Sequence, residues 1–400
     1  QGLCLQAQIG YDAHMISLSK LLTGQANWGD RLRYHRRDPA ATPRPVVVFN
    51  TTNRCNLTCA HCYPASDDTP CDGELSSDEA RALIDDLAAF GAPVILFSGG
   101  EPLVRPDILD LITHAGQAGI RPVLSTNATL LTPAIAEQLT AAGLAYAGIS
   151  IDGTEATHDE FRGRTGAYAD TLTGLRNAQA AGIRVGLRMT VSRRNVDELP
   201  AVIDLIEREG ITRACFYHLV QAGRGREMGP DALPLERTRA FLDELIVHAE
   251  RLAMLPTPVE MLTVDNHADG PYAYLDLLKR DPARAAECLS LLQQNGGNRS
   301  GIAFGCVSAT GDVHPDQFSR TQLLGNVRER PFSEIWADES SPLLGQLRDR
   351  EPLITGRCTR CRWMSVCNGN LRARAIAAGD PWGDDPACYL TDAEIAPEQP

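Results

Sequence analysis

From about residue 45 to 220, short β-rich apolar runs alternate with stretches of helical periodicity. The runs at 46–52, 94–98, 121–125, 146–152, 185–191 and 214–219 read as strands. Helices are expected between them, at 78–90, 107–118, 134–142, 168–181 and 196–209. Five of these helices end in a glycine, Gly91, Gly119, Gly143, Gly182 and Gly210, as helix C-termini favour. Repeated βα units predict a parallel sheet with helices packed outside it. Six such units predict an α/β fold, a partial (β/α)6 TIM-like barrel.

Beyond residue 230 the alternation stops. Segments 235–252 and 276–293 read as two further helices, and the turn Asn295-Gly296-Gly297-Asn298 leads into a turn-rich, cysteine-bearing region. The expected organisation is an N-terminal extension (1–44), a barrel (45–235), a helical connector that contacts substrate (236–299), a cysteine-rich domain (300–392) and a frayed tail (393–400).

The chain has 400 residues and a formal net charge of -13, which argues against general binding to nucleic acid or membrane surfaces. No apolar run is long enough for a transmembrane span. The first residues, Gln1-Gly2-Leu3-Cys4-Leu5, lack the basic region of a signal peptide, and Met15 begins a more ordinary-looking start. Seven of the 12 cysteines fall into two clusters. That reads as metal binding in a reducing compartment, so a cytoplasmic location is expected. Cys4, Cys71, Cys215, Cys288 and Cys306 read as core or surface thiols.

The first cluster, Cys55, Cys59 and Cys62, has the spacing C-x3-C-x2-C and directly follows the first strand. Three thiolates can hold three irons of a [4Fe-4S] cube and leave the fourth open to a ligand. A zinc knuckle that adds His61 is the competing reading, with His61 awkwardly placed between two of the cysteines. Ser98-Gly99-Gly100-Glu101-Pro102 follows the second strand. Its glycines allow close approach of a ligand, and Glu101 offers a carboxylate to a ligand ammonium. Ser125 and Asn127 end the third strand, Ser150 and Asp152 the fourth, and His218 the sixth; Arg188 lies in the fifth and Arg162 beyond the fourth. Polar residues gathered on the C-terminal rim of a barrel form an active site by position.

These three segments, C-x3-C-x2-C, Ser-Gly-Gly-Glu-Pro and Ser-x-Asp-Gly, resemble the radical S-adenosylmethionine (SAM) superfamily over about 45–220. The resemblance implies that the open iron binds SAM and that electron transfer cleaves it to methionine and a 5′-deoxyadenosyl radical. It implies that Gly99, Gly100 and Glu101 hold the amino end of SAM, with Ser150 and Arg162 at its carboxylate or ribose. Ser98, Ser125, Asn127, Asp152 and Arg188 complete the expected cofactor contacts. A flavodoxin or ferredoxin is expected to supply the electron. The second cluster, Cys358, Cys361, Cys367 and Cys388, is similar to SPASM/Twitch-type C-terminal domains and implies an auxiliary [4Fe-4S] cluster. Leu371 stands where the fuller pattern has another cysteine, so one auxiliary cluster is expected, with Cys306 the only upstream thiol left. A structural zinc is the alternative.

Segments 215–220, 222–226, 263–272, 325–332 and 380–390 resemble tetrapyrrole-modifying members of this superfamily. The likeness is greatest to the didecarboxysiroheme deacetylases of the alternative heme pathway, a sister family to that of heme d1 biosynthesis. It implies removal of two acetate side chains from 12,18-didecarboxysiroheme, leaving methyl groups in Fe-coproporphyrin III. Hydrogen abstraction at or near an acetate methylene would consume one SAM per acetate. Arg224 and Arg226 are expected as carboxylate forks. His267, His218 and His314 are candidates for a proton or for the substrate iron. A propionate-removing heme d1 enzyme, a peptide-modifying enzyme and a non-enzymatic metal-stabilised scaffold are the competing readings. Anaerobically purified protein is expected to be brown, with iron and sulfide; colourless protein containing zinc would leave only the scaffold.

Overall fold

The computed structural model describes residues 15–27, 29–34 and 42–397. Cys4 lies outside the described residues. Eleven strands form one sheet. In chain order they are β1 (Met15–Ser17), β2 (Val46–Thr52), β3 (Val94–Gly99), β4 (Arg121–Thr126), β5 (Tyr146–Ser150), β6 (Val185–Val191), β7 (Arg213–His218), β8 (Glu260–Val264), β9 (Phe304–Val307), β10 (Asp312–His314) and β11 (Gly325–Asn326). Their order across the sheet is β1-β8-β7-β6-β5-β4-β3-β2-β9-β10-β11. Neighbours from β8 through β2 to β9 pair in parallel, while β1, β10 and β11 pair antiparallel.

Strand side chains alternate between two faces. Val47, Phe49, Ile95 and Phe97 pack into the large core beneath the helices. Val46, Val48, Val94 and Leu96 point the other way, into a smaller core with Val123, Tyr146, Cys215, Leu262, Phe304 and Cys306. The two faces are both apolar, which is why these strands read as continuous hydrophobic runs.

β2–β7 occupy the six expected strand positions. The sheet then extends past them. β8 joins from within the connector and β9 from the cysteine-rich region, so the strands on both sides of residues 235 and 299 share one sheet. The single helix expected at 276–293 is two helices, Asp269–Arg280 and Pro282–Asn295. Pro282 forces the break: it has no N–H to donate and excludes helical geometry at Asp281, which instead caps the second helix. A helix absent from the sequence reading, Glu155–Arg162, follows β5; it is short and highly polar, so periodicity did not reveal it. The tail is not frayed at its start. Thr391 and Glu394 form a capping box on the helix Asp392–Ile395, and Arg239 holds Glu394 through two bonds of 2.9 Å.

Parallel pairing brings the C-terminal ends of β2–β8 to one rim. There the loop after β2 and the loop after β3 are joined by backbone. Gly100 N–H donates to Thr52 O at 2.8 Å, and Glu101 N–H to Arg54 O at 3.0 Å. Only glycine fits this approach. A Cβ on Gly100 would lie 2.1 Å from Arg54 O, and one on Gly99, whose φ is +119°, would lie 2.4 Å from Thr52 O. Gly100→Ala is therefore expected to cost about 3 kcal/mol from overpacking, read as a lowered Tm; an unchanged Tm would show that the two loops separate freely.

Candidate active site

The cysteine loop is fixed from three directions. Cys55 N–H donates to Asp67 O at 2.7 Å, and Thr58 and Ala60 N–H donate to Arg162 O and Phe161 O at 3.3 and 2.8 Å. From the segment after β7, Arg224 N–H donates to Cys62 O at 3.0 Å and its Nε to Cys59 O at 2.8 Å. Gly223, at φ +54°, permits this contact, since a Cβ there would lie 2.4 Å from Cys62 O. Arg224 thus clamps the loop rather than reaching into the cavity as a carboxylate fork.

The rim encloses a cavity with about 1130 Å³ of space, its mouth included. Cys55, Cys59, Cys62, Ser98, Gly99, Gly100, Glu101, Ser125, Asn127, Ser150, Arg162, Arg188 and His218 all line it. These thirteen residues come from six successive βα units, those of β2 to β7. Burial, opposed by the Leu57 N–H and reinforced by Glu101 and then Cys59 and Cys62, pushes the Cys55 thiol up to about 12. Burial and then Cys59 also raise Cys62. Thiolates here need a cationic partner.

Glu101 is 1% exposed. Its carboxylate accepts from Asn127 N–H and Thr126 Oγ1 at 2.8 Å and from Leu103 N–H at 3.1 Å. Burial pushes it up to about 7 against these hydrogen bonds. A ligand cation would offset that cost. Arg162 is anchored by an ion pair to Asp152, which lies behind the cavity wall, and its Nη1 is 3.6 Å from Cys59 Sγ. Burial opposes the charge of Arg162, but Asp152 and Cys59 more than offset it and its pKa is raised. Arg188 Nη1 donates to Ser125 Oγ at 2.7 Å. It passes over Gly148, where a Cβ would lie 2.1 Å from Arg188 Nε.

His218 faces the cavity, and its Nε2 is 2.9 Å from Asp269 Oδ2; Tyr389 Oη donates to Asp269 Oδ1 at 2.7 Å. This buried chain orients the imidazole. The other two histidine candidates lie elsewhere. His267 is 2% exposed, outside the cavity lining, and burial holds it down to about 3. His314 on β10 is buried and bonded through Nδ1 to Gln322 O at 2.9 Å. Arg226 is exposed, away from the cavity. The cavity also contains residues that the sequence reading passed over: Tyr63, Tyr217, Asp265, Gln317 and Phe318. The last two come from the cysteine-rich region, and no motif marks them.

Cys358, Cys361, Cys367 and Cys388 form a second group. Burial, then Cys388, Cys358 and Cys361, hold the Cys367 thiol well above its ordinary range. Cys306 is not with them; it sits in β9, with Asn50 Nδ2 at 3.6 Å from its sulfur. Among the described residues no group of three or more His, Cys, Asp and Glu side chains converges as the ligands of one metal ion would. The second group also lies beside two buried arginines, Arg350 and Arg372, each 1% exposed. Their guanidinium groups donate only to neutral acceptors: Arg350 to Asn298 Oδ1 at 2.7 Å and Ser300 O at 3.0 Å, Arg372 to Gly383 O at 2.7 Å. Such charges call for a nearby anion. The donor chemistry of both thiol groups is compatible with iron-sulfur ligation.

Residues 49–206 match the Radical SAM superfamily. The chain is 52% identical to the Fe-coproporphyrin III synthase of Methanosarcina barkeri over 95% of its length and 99% of that protein. It is 41% identical to the pre-heme d1 synthase of Dinoroseobacter shibae over 90% of its length and 91% of that protein. Among solved structures, the S-adenosylmethionine-bound SuiB of Streptococcus suis shares the fold, with a TM-score of 0.68 at 16% identity over 87% of this chain and 78% of that one. With the barrel, the thiol-lined rim and these relatives together, the chain belongs to the radical SAM superfamily and is an enzyme of that class.

Proposed function

We propose that this enzyme acts in heme biosynthesis and removes two acetate side chains from 12,18-didecarboxysiroheme to give Fe-coproporphyrin III. The observation that carries this reading is the 52% identity, over nearly its whole length, to a protein named for that product. The chain's own residues support it. Cys55, Cys59 and Cys62 would hold a [4Fe-4S] cluster with one iron open to SAM. Gly99, Gly100 and Glu101 would take the amino end of SAM, and Ser150 and Arg162 its carboxylate or ribose. Ser98, Ser125, Asn127 and Arg188 supply the remaining polar contacts. Asp152 acts at one remove, by anchoring Arg162. When bound, cluster and SAM supply one-electron reduction and hydrogen-atom abstraction.

The protein's share of the work is positioning and exclusion. Burial keeps water from Glu101, so a ligand ammonium gains more there than it would at the surface. His218 holds a proton position on the substrate side of the cavity, with Asp269 and Tyr389 fixing its ring. Cys358, Cys361, Cys367 and Cys388 would carry a second, fully ligated [4Fe-4S] cluster in a SPASM/Twitch-like region. Arg350 and Arg372 would balance its negative charge. A flavodoxin- or ferredoxin-type donor would supply electrons, and such thiol clusters suit a reducing cytoplasm. Among the described residues no helix is long and apolar enough to cross a membrane. The 41% identity to a pre-heme d1 synthase favours, as the second reading, removal of propionate arms from the same macrocycle.

The deciding experiment is anaerobic reconstitution, incubation with didecarboxysiroheme, SAM and a reductant, and mass spectrometry of the products. Loss of two acetate-derived units is expected. Loss of propionate-derived mass would move the enzyme to the heme d1 branch. SAM cleavage with an unchanged tetrapyrrole would overturn the substrate. In the same protein, Glu101→Gln is expected to weaken SAM binding by about tenfold or more, as loss of a charge-assisted hydrogen bond does. Unchanged affinity in a calorimetric titration would remove Glu101 from the SAM contacts.

A further inference from the structure

One acidic group of the cavity has no part in the contacts assigned above. Asp265 directly follows β8, whose last residue, Val264, pairs with Tyr217 of β7. It therefore stands on the rim beside His218. Along the sheet it is five strands from β3, whose following turn carries Glu101. Asp265 lines the cavity and is 6% exposed, yet its carboxyl has no hydrogen-bond partner within the described residues.

Its backbone is held in an unusual conformation. Asp265 has φ +69°, a left-handed geometry that costs an L-residue about 1–2 kcal/mol. Such strain persists only where surrounding structure enforces it. Here Arg374 Nη2 donates to Asp265 O at 2.5 Å while an ion pair of 2.8 Å ties Arg374 to Asp385, beside Cys388. The next residue, Asn266, donates to Ala387 O at 3.0 Å and accepts from Asn370 Nδ2 at 2.8 Å. The cysteine-rich region thus grips this turn from outside, with Asp265 in the cavity lining and His267 buried outside it. Burial, opposed by Arg374 and reinforced by Asp316, pushes Asp265 up to about 7, so a neutral, donating carboxyl is accessible near neutral pH. The same cavity holds Tyr63, Tyr217 and Phe318, and the rings of Tyr63 and Phe318 meet edge to face at 5.5 Å. These aromatic surfaces suit a flat apolar ring.

We propose that Asp265 is a substrate-contacting residue whose carboxyl group hydrogen-bonds a carboxylate side chain of the tetrapyrrole as the macrocycle lies against Tyr63, Tyr217 and Phe318. The proposal rests on the tetrapyrrole reading of this cavity. It gives the enzyme an acid-to-acid contact for an anionic substrate at a rim whose expected arginine forks, Arg224 and Arg226, are directed elsewhere.

The test is an anaerobic absorption titration of the reconstituted enzyme with didecarboxysiroheme, comparing wild type, Asp265→Gly and Asp265→Asn. Glycine accepts φ +69° without strain, and asparagine tolerates it while keeping a hydrogen-bond donor. Asp265→Gly is expected to weaken tetrapyrrole binding by about tenfold or more, and Asp265→Asn by about threefold or less. SAM affinity, iron content and Tm are expected to match wild type. Wild-type tetrapyrrole affinity in Asp265→Gly would overturn the contact and leave the proposed reaction standing. A parallel loss of SAM affinity would also overturn it, by making the residue structural or a SAM ligand. If the wild-type enzyme does not bind the tetrapyrrole, the substrate reading fails and this contact falls with it.

Discussion

The arrangement of the active site depends on two backbone hydrogen bonds between the loop after β2 and the loop after β3. They bring the cysteine loop and the Gly99-Gly100-Glu101 turn into direct contact, with no side chain between them. Every other contact at the rim builds on that junction. Arg162 O and Phe161 O hold the middle of the cysteine loop, and Arg224 holds its end. The loop carries few apolar anchors of its own. Its shape is imposed by neighbours, each delivered by a different βα unit. This explains why a (β/α) barrel suits the site: parallel strands deliver all of these loops to one end.

Charge is the second organising constraint. The rim holds buried acids, thiols and guanidinium groups within one low-dielectric space. Each is either matched or waiting for a ligand. Arg162 is matched by Asp152 and Arg374 by Asp385. Glu101, Cys55, Cys62 and Asp265 are raised by burial and are not fully compensated by the protein. In the cysteine-rich region the imbalance has the opposite sign: among the described residues no carboxylate hydrogen-bonds Arg350 or Arg372, and Asp316 and Asp385 act on them only through longer-range attraction. Groups of this kind cluster where a ligand completes the electrostatics. The two regions are also linked mechanically, because Arg374 bonds both Asp385 near Cys388 and the backbone of Asp265 in the cavity wall.

The six strands from β2 to β7 and most of the helices between them were legible because each carries its own signal: an apolar run, a helical period, a terminal glycine. So was most of the cofactor rim, because the cysteine spacing and the Ser98–Glu101 run are local. Strands β8 and β9 were not. Each is short, and each is stabilised by a parallel neighbour far away in sequence: β8 by β7, β9 by β2. The break at Pro282 was readable and was missed, because the helical period continues across it. Arg224 illustrates a different limit. An arginine after a barrel strand reads as a ligand fork, yet its bond to Cys59 O exists only once the loops after β2 and β7 are adjacent.

The sequence alone thus determined the fold class, the division of seven cysteines into two groups and which segments bear them, since these follow from local pattern and short spacing. Only the tertiary structure decided which polar residues face the cavity. His267 and Asp265 are two positions apart in one turn, with similar polar neighbours, and nothing in the local sequence separates them. The left-handed backbone at Asp265, enforced by Arg374 more than a hundred residues away, accompanies a split in which Asp265 lines the cavity and His267 is buried outside it. Orientation of this kind is a long-range packing outcome, and no local pattern encodes it.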